Sequence, residues 1–309
     1  MAPKEAAIMT SQTKPAVGGH TYEPAGVEIH ARNVEFDWSQ TPLHWIKGEP
    51  VASDVVSILH LILPEGERWF CEVFNEALPY VKDEDLARAV RGFIGQEAMH
   101  AESHDKAVTE FLEGRGVDTG PILRQFEYFF RRLLAPRSQR FARTRYNDMV
   151  QRLWLIAAIE HYTAILGDFV LNCAWDDYDV DPTMADICRW HGAEEIEHRC
   201  VAHDVANYFH PGYLNRCRAM VVALVYLVLM IHRAIGFTCR TDPTISHSYF
   251  WLWRQYLRGS RRNILPQLRQ VLKYTVVYFK PSFDPASIGS TAQAVAYLAT
   301  SPAARRARR

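Results

Sequence analysis

The fold of this chain is decided by His191-Gly192-Ala193-Glu194-Glu195-Ile196-Glu197-His198, together with the earlier stretch Glu97-Ala98-Met99-His100. Each stretch contains a Glu-x-x-His step, and the later one adds a histidine four residues before its glutamate. Spacings of three and four residues place side chains on one face of an α-helix. A single such step is expected by chance at this composition, but two in strongly helical segments are not. We therefore expect two helices that each direct carboxylate and imidazole groups to one side.

The region between residues 53 and 209 has the apolar periodicity and the end signals of long helices. The four long helices are predicted at residues 53–80, 83–113, 138–175 and 183–209, with a shorter helix between Pro121 and Pro136. Strand signals are scarce. Four long helices that follow one another along the chain favour a bundle. The predicted fold class is all-α, a four-helix bundle with additional C-terminal helices.

The chain divides into four predicted parts. These are a flexible N-terminal arm at 1–35, a di-metal bundle at 36–210, C-terminal helices packed on the bundle at 211–285, and a flexible basic tail at 286–309. The arm lacks the apolar core of a signal peptide. The six cysteines contain no Cys-x-x-Cys pair and are expected to be reduced thiols. Both observations predict a cytoplasmic protein.

Charge is distributed unevenly along the chain, although the net charge is zero. The first 210 residues carry 20 basic and 33 acidic side chains, and the residues from Pro211 onward carry 15 basic and 2 acidic ones. Within this basic part, Ala219–Ile231 is apolar and uncharged, but shorter than the roughly twenty residues that span a bilayer. It is either a buried core helix or a helix that contacts the inner membrane peripherally. Nucleic acid is not an expected partner, because the arginines alternate with apolar residues.

The spacing also predicts the ligands of a two-metal centre. His191, Glu195 and His198 lie within about 60° of one another on a helix. Glu67 and Glu160 lie in apolar surroundings on the first and third helices, where an isolated buried charge is very costly. Two of the glutamates can bridge the metals while the other ligands cap them. The predicted ligands are Glu67, Glu97, His100, Glu160, His191, Glu195 and His198. This oxygen and nitrogen set favours two iron ions, with manganese or zinc as alternatives.

Two further residues are predicted beside the ligands. His104 follows the second helix's motif by one turn on the same face, and Glu194 lies next to the ligand arc of the fourth helix. We expect both to orient a ligand, and Glu194 is also a candidate substitute ligand. Glu72 and Glu76 compete with Glu67 on the first helix. The alternative interpretation is that all these residues form a solvated polar face of the bundle.

At these residues the chain resembles the ferritin-like di-iron carboxylate proteins, whose bundles repeat Glu…Glu-x-x-His twice. The additional His191 resembles the third histidine ligand of the di-iron arylamine N-oxygenases. Pro64–Phe70, Gln96–His100 and Tyr278–Pro285 are similar to motifs of a bacterial family of predicted metal-dependent hydrolases. The resemblance covers about residues 40–285. The resemblance implies a ferritin-like bundle with a di-metal site. No motif of this sequence indicates the specificity for aromatic amines that the N-oxygenases have.

The hypothesis for function is a non-haem di-iron oxygenase that activates O2 to hydroxylate or N-oxygenate a hydrophobic or aromatic small molecule. Its electrons would come from an external donor, because no flavin, nicotinamide or iron–sulfur motif is visible in the sequence. The alternative is a metal-dependent hydrolase that uses a metal-bridging hydroxide. A third reading is a non-enzymatic iron-binding protein. Substrate identity and oligomeric state stay open, with a homodimer as one arrangement.

Overall fold

The computed structural model describes residues 28–136, 142–245 and 248–307. Across these residues the chain is all-α, with one isolated antiparallel bridge between Ile46 and Val180, so the predicted fold class is confirmed. The α-helices are α1 (Pro50–Ser57), α2 (Leu59–Ala77), α3 (Glu84–Lys106), α4 (Gly120–Tyr128), α5 (Ala142–Asn172), α6 (Pro182–His198), α7 (Val201–Phe209), α8 (Tyr213–Thr241), α9 (Tyr249–Arg261), α10 (Leu268–Tyr278), α11 (Thr291–Thr300) and α12 (Pro302–Ala307).

The first long helix of the prediction is two helices, α1 and α2, with Ile58 between them. Pro64 lies inside α2 and cannot donate to the carbonyl of His60, four residues earlier. The chain nevertheless continues as a helix through Pro64, and the break lies earlier, at Ile58, whose carbonyl accepts a hydrogen bond from the N–H of Leu61 at 3.1 Å.

The fourth long helix of the prediction is also two helices, α6 and α7, which separate at Arg199. The guanidinium of Arg199 donates to the carbonyl of Ile196 in the last turn of α6 and to the hydroxyl of Thr291 at 2.9 Å. This side chain satisfies a carbonyl that a continuing helix would have satisfied. The split leaves the whole predicted ligand motif on α6.

The second long helix begins as its sequence predicts. The carboxylate of Asp83 accepts hydrogen bonds from the backbone N–H groups of Asp85 and Leu86, which caps α3. After Lys106 the helix widens into π-type turns and ends at Gly116, whose φ of +84° is the left-handed conformation that glycine adopts readily. Both ends follow the signals that the residue types provide.

A close backbone approach positions α5 against α6. A Cβ atom added at Gly167 of α5 would lie 2.4 Å from the carbonyl oxygen of Gly192 in α6, so only glycine permits this contact. Gly192 directly follows His191, and Glu160 lies two turns before Gly167 on α5. The glycine contact therefore brings the predicted ligands of the two helices into the same part of the interior, while α2 packs along α3 beside them.

The predicted flexible arm at 1–35 is corrected in part. Residues 1–27 lie outside the described residues, but residues 28–35 lie against α3. The carbonyl oxygen of Ile29 approaches Gly92 so closely that a Cβ there would lie 2.3 Å away. From residue 32 to residue 38 buried side chains occur at every second position, apart from a partly buried one at position 36. That alternation is typical of an extended segment with one covered side.

The predicted flexible tail at 286–309 is wrong for the residues that the structure describes, because α11 and α12 pack against α6. The carboxylate of Asp186 accepts hydrogen bonds from the hydroxyls of Tyr297 and Ser301, each at 2.8 Å, and from the N–H of Ala303 at 2.9 Å. A buried carboxylate on a distant helix holds this segment. Its basic composition did not indicate such an anchor.

Within the described residues, two helices are long and apolar enough to cross a membrane by length and composition, at 144–177 and in α8. In the first, 72% of the most apolar eighteen-residue window is buried, whereas in α8 only 28% is buried. Val221, Val225 and Leu229 of α8 are each more than half exposed. The interpretation of Ala219–Ile231 as a buried core helix is therefore wrong for the outer face of α8.

Candidate metal centre

The seven predicted ligands come from four helices and meet in the interior. Glu67 lies on α2, Glu97 and His100 on α3, Glu160 on α5, and the other three on α6. None of the seven is more than 7% exposed. The three-residue and four-residue spacings place each helix's ligands on its inner face, as the motifs predict. The interpretation as a solvated polar face is therefore wrong.

One half of the cluster surrounds the imidazole of His198. Its Nε2 atom lies 3.2 Å from a carboxylate oxygen of each of Glu97, Glu160 and Glu195. Oxygen and nitrogen ligands that each lie about 2.0–2.2 Å from a cation are separated from one another by roughly 3 Å. These four residues therefore have the spacing that one divalent cation requires.

The other half contains Glu67, His100 and His191. Nε2 of His191 lies 3.6 Å from Oε1 of Glu67 and 2.7 Å from Oε1 of Glu195. Nδ1 of His100 lies 3.5 Å from Oε1 of Glu195 and 3.7 Å from Oε1 of Glu97. Glu97 and Glu195 contact both halves. These two carboxylates are therefore the ones that the two halves of the cluster share.

The chemistry of the donor atoms fits such a pair. Among the described residues, both carboxylate oxygens of Glu67, Glu97 and Glu160 and Nδ1 of His100 are buried without a hydrogen-bond partner. Burial, reinforced by neighbouring carboxylates, raises the pKa of all three glutamates, to about 8 for Glu97 and Glu160. Unpaired buried carboxylates are costly, and cations would neutralise them. A mixed set of carboxylate and imidazole donors suits iron or manganese, and zinc less well.

Each predicted histidine ligand also has a partner for its outward ring nitrogen. The pairs are His100 Nε2 with Glu194 Oε2 at 3.0 Å, His198 Nδ1 with Gln96 Oε1 at 3.0 Å, and His191 Nδ1 with His104 Nε2 at 2.7 Å. Such a partner fixes the tautomer and the ring orientation of a metal-ligating histidine. Glu194 and His104 thus lie beside the cluster, each within hydrogen-bond distance of a predicted ligand, and His104 also lies 3.9 Å from Oε1 of Glu67.

Three residues of this surrounding layer were not predicted. Arg32 donates to Oε1 of Glu194 at 2.6 Å and to both oxygens of Glu197 at 2.8 and 3.0 Å. Glu197 also accepts a hydrogen bond from the amide of Gln96 at 2.9 Å. The signal for Gln96 was its place directly before a predicted ligand. Arg32 carries no such signal, because it lies in an extended segment outside the helical motifs and its contacts with Glu194 and Glu197 are distant in sequence.

A chain of histidines leads away from the centre. Nδ1 of His104 lies 2.7 Å from Nδ1 of His60, whose Nε2 lies 3.3 Å from the sulfur of Met184. Burial lowers the pKa of both histidines, to about 3 for His60, so both rings are neutral at neutral pH. A neutral imidazole donates a hydrogen bond through one ring nitrogen and accepts one through the other. The hydrogen bonds of this chain can therefore all point towards His191 or all point away from it. His60 lies seven residues before Glu67, which is the helical spacing that could have identified it.

The competing glutamates of α2 do not join the cluster. Glu72 is exposed, and Glu76 pairs with Arg152 at 2.8 Å. Glu67, which is 2% exposed, is the glutamate of this helix that reaches the other ligands. Helical phase explains the difference, because Glu72 lies about 140° around the helix from Glu67.

A family model described as "Predicted metal-dependent hydrolase" matches residues 30–289, which include all seven predicted ligands. The chain belongs to this family. The resemblance to predicted metal-dependent hydrolases is thereby confirmed, and membership indicates a metal-dependent enzyme. No curated protein and no solved structure matches the chain, so the resemblance to di-iron oxygenases gains no support from these comparisons. The family's description fixes neither the metal nor the number of ions.

Proposed function

We propose that this member of the family is a two-metal enzyme that activates O2 to oxidise a hydrophobic or aromatic small molecule. The observation that carries the proposal is the buried cluster in which Glu97 and Glu195 lie between two half-sites. Three of its glutamates have no hydrogen-bond partner among the described residues. Two redox-active ions, iron in the first place, would pass electrons to O2 and would be reduced again by an external donor.

Burial of the ligands favours oxidation over hydrolysis. Six of the seven are at most 3% exposed, so bulk water has little access, whereas O2 is small and apolar. The protein residues hold the cations, exclude water and fix the orientation of each imidazole through Glu194, Gln96 and His104. Electrons come from an external donor under this proposal, since the sequence shows no motif for a second redox cofactor.

Hydrolysis is the second candidate, and the description of the family favours it. The same cluster would then polarise an ester or phosphoester and use water as the second substrate. This reaction needs neither O2 nor a reductant. A third candidate, iron binding without catalysis, predicts bound metal and no turnover of either kind.

We also propose that the protein is cytoplasmic and that a hydrophobic substrate reaches it at the inner membrane. The outer face of α8 exposes Val225 and Leu229, and α9 exposes Phe250, which is 80% accessible, and Trp253. Large apolar side chains exposed on both helices favour an interaction site there. Arginines near both ends of the α8 apolar stretch would face anionic lipid headgroups. A homodimer through the same face is the competing occupant.

The first experiment separates the two reactions. Protein loaded anaerobically with Fe2+ is analysed for metal and then mixed with O2, while absorption and oxygen consumption are followed. The oxygenase proposal expects about two irons per chain and an absorption change that depends on O2. Zinc-loaded protein that hydrolyses chromogenic esters or phosphoesters anaerobically, combined with an iron-loaded form that consumes no O2, would establish hydrolysis instead.

The second experiment tests the ligand set. A double variant, Glu160→Ala with His191→Ala, is expected to lose bound metal because it removes one ligand from each half of the cluster. Glu72→Gln is the matched control, because it changes an exposed carboxylate of α2. An unchanged metal content in the double variant would remove both residues from the set.

A further inference from the structure

A second cluster of metal-binding residue types shares no residue with the metal centre. It lies where the segment before α1, α1 itself and the end of α8 meet, and it contains His44, Asp54 and Asp242. One ligand atom of each lies within 4.8 Å of the others. Asp54 is 6% exposed and Asp242 is 3% exposed, whereas the His44 side chain is 29% exposed. Two buried carboxylates and one imidazole therefore face each other near the surface.

The hydrogen bonds of this cluster leave one carboxylate unsatisfied. Nε2 of His44 lies 2.6 Å from Oδ2 of Asp242, and the backbone N–H of Thr244 donates to Oδ1 of Asp242 at 2.7 Å. Oδ2 of Asp54 is buried and has no hydrogen-bond partner among the described residues. Among the described residues, His44 is the one side chain that forms an ion pair with these aspartates, and its partner is Asp242. The cluster therefore has fewer positive groups than negative ones.

The electrostatics agree with a missing cation. Burial and the neighbouring Asp242 together raise the pKa of Asp54 to about 8. A second carboxylate beside a buried one opposes its ionisation, and a dication between them would favour it. The imidazole of His44 can bind the same ion through the lone pair of its Nε2 atom. Two carboxylates, one imidazole and one dication make a neutral group, which is suited to a buried position.

A cavity adjoins the cluster. It has a volume of about 30 Å³, opens to solvent, and is lined by Asp54 and Asp242 together with apolar side chains that include Leu61, Leu112 and Phe237. The two carboxylates are thus polar groups in a lining that is otherwise largely apolar. A space of this volume has room for a water molecule beside the two carboxylates.

We propose that His44, Asp54 and Asp242 bind a zinc ion, or a divalent cation of the same class, with one coordination position open to the cavity. Three protein ligands of nitrogen and oxygen type and an open fourth position are characteristic of zinc sites that take up an external ligand. Zinc–ligand bonds of about 2.0 Å separate neighbouring ligand atoms by about 3.3 Å. His44 must therefore move slightly away from Asp242, which its partial exposure allows. The open position takes a water molecule, for which the cavity has room.

Zinc titration of the full-length protein tests this proposal. Isothermal titration calorimetry and metal analysis after desalting are expected to show a further zinc equivalent in the wild type that Asp54→Asn and Asp242→Asn both lack. Asp179→Asn is the matched control, because it removes an exposed carboxylate that pairs with Lys47 at the surface. Equal zinc content in the wild type and in both cluster variants would overturn the proposal.

Two further variants keep the result interpretable. The double variant Glu160→Ala with His191→Ala is expected to retain the zinc equivalent that depends on Asp54, so failure of the metal centre is distinguishable from failure of this site. If the aspartate variants unfold, His44→Ala decides, because it removes a partly exposed ligand outside α1 and α8. Retention of the zinc equivalent in a folded His44→Ala variant would contradict the proposal. A second result would also contradict the proposal: zinc leaves the Tm of the wild type unchanged, and Asp54→Asn raises the Tm. The asparagine amide would then replace a protonated carboxyl group, which would indicate that Asp54 and Asp242 share a proton and bind no cation.

Discussion

The metal centre and the outer face of α8 and α9, which is defined by Val225, Leu229, Phe250 and Trp253, both depart from the usual distribution, in which charged side chains are exposed and apolar ones are buried. The centre buries four glutamates and three histidines, and the outer face exposes valine, leucine, phenylalanine and tryptophan side chains. Unpaired buried carboxylates and extended exposed apolar surface both cost free energy in water. Each region is therefore incomplete without a partner, for which we propose cations in one case and a membrane in the other.

The difference between α6 and α8 shows what composition leaves open. Twelve of the seventeen residues of α6 are buried although many are charged or polar, and eight of the twenty-nine residues of α8 are buried although most of its central stretch is apolar. The polar helix α6 is buried because its carboxylates and imidazoles contact one another and the polar side chains of neighbouring helices. The apolar helix lies outside because only one of its sides packs on the bundle. Hydropathy alone would have assigned the two helices the other way round.

The largest effect is expected from a bridging ligand. Glu195→Gln should empty both halves of the centre, because this carboxylate contacts His191 in one half and His198 in the other. Activity should fall by more than about 100-fold, which exceeds the usual loss for a residue outside the ligand shell. Metal analysis and turnover are the measurements. Full metal content in this variant, with Glu72→Gln as control, would show that the buried carboxylates have another purpose.

The next prediction concerns pH and the metal-free protein. Folding raises the pKa of Glu97 and Glu160 from 4.5 to about 8, so the native state binds more protons than the unfolded state between these values. The unfolding free energy of metal-free protein should therefore fall as the pH rises through this window. Bound cations should remove most of that slope. Urea denaturation at several pH values, with and without metal, measures it, and equal slopes in both forms would contradict the prediction.

The outer face offers the matching test. Val225→Ser with Leu229→Ser should lower binding to anionic vesicles by about tenfold or more, because two half-exposed apolar side chains no longer enter the lipid. Vesicle flotation measures the bound fraction, and Val295→Ser, an exposed valine on α11, is the control. If size-exclusion chromatography instead shows a dimer that the double variant dissociates, a second copy of the chain covers this face.

The smallest effect is expected at the far end of the histidine chain. His60→Phe should leave the metal content unchanged and lower turnover by roughly tenfold, because His104 loses the partner that orients it towards His191. His161→Phe is the control, since this histidine binds the carbonyl of Tyr274 instead. Wild-type turnover in His60→Phe would show that the chain beyond His104 only fills the core.

The parts that could be predicted are those that depend on local spacing. The caps at Asp83 and Gly116 follow from residue type, and the grouping of His191, Glu195 and His198 follows from helix geometry. The parts that could not be predicted depend on contacts between distant segments. The anchoring of the C-terminal helices by Asp186 is one such contact, and the pairing of Arg32 with Glu197 is another.

The sequence by itself determined the helical class and which residues of each helix share a face, because both depend on the repeat of the α-helix and on steric preferences of single residues. Only the tertiary structure decided which carboxylates meet, which side of α8 is covered, and that His44 lies beside Asp54 and Asp242. These outcomes depend on how helices pack against one another, as at Gly167 of α5. Packing depends on how the surfaces of two helices fit together, whereas the sequence pattern of one helix describes the surface of that helix alone.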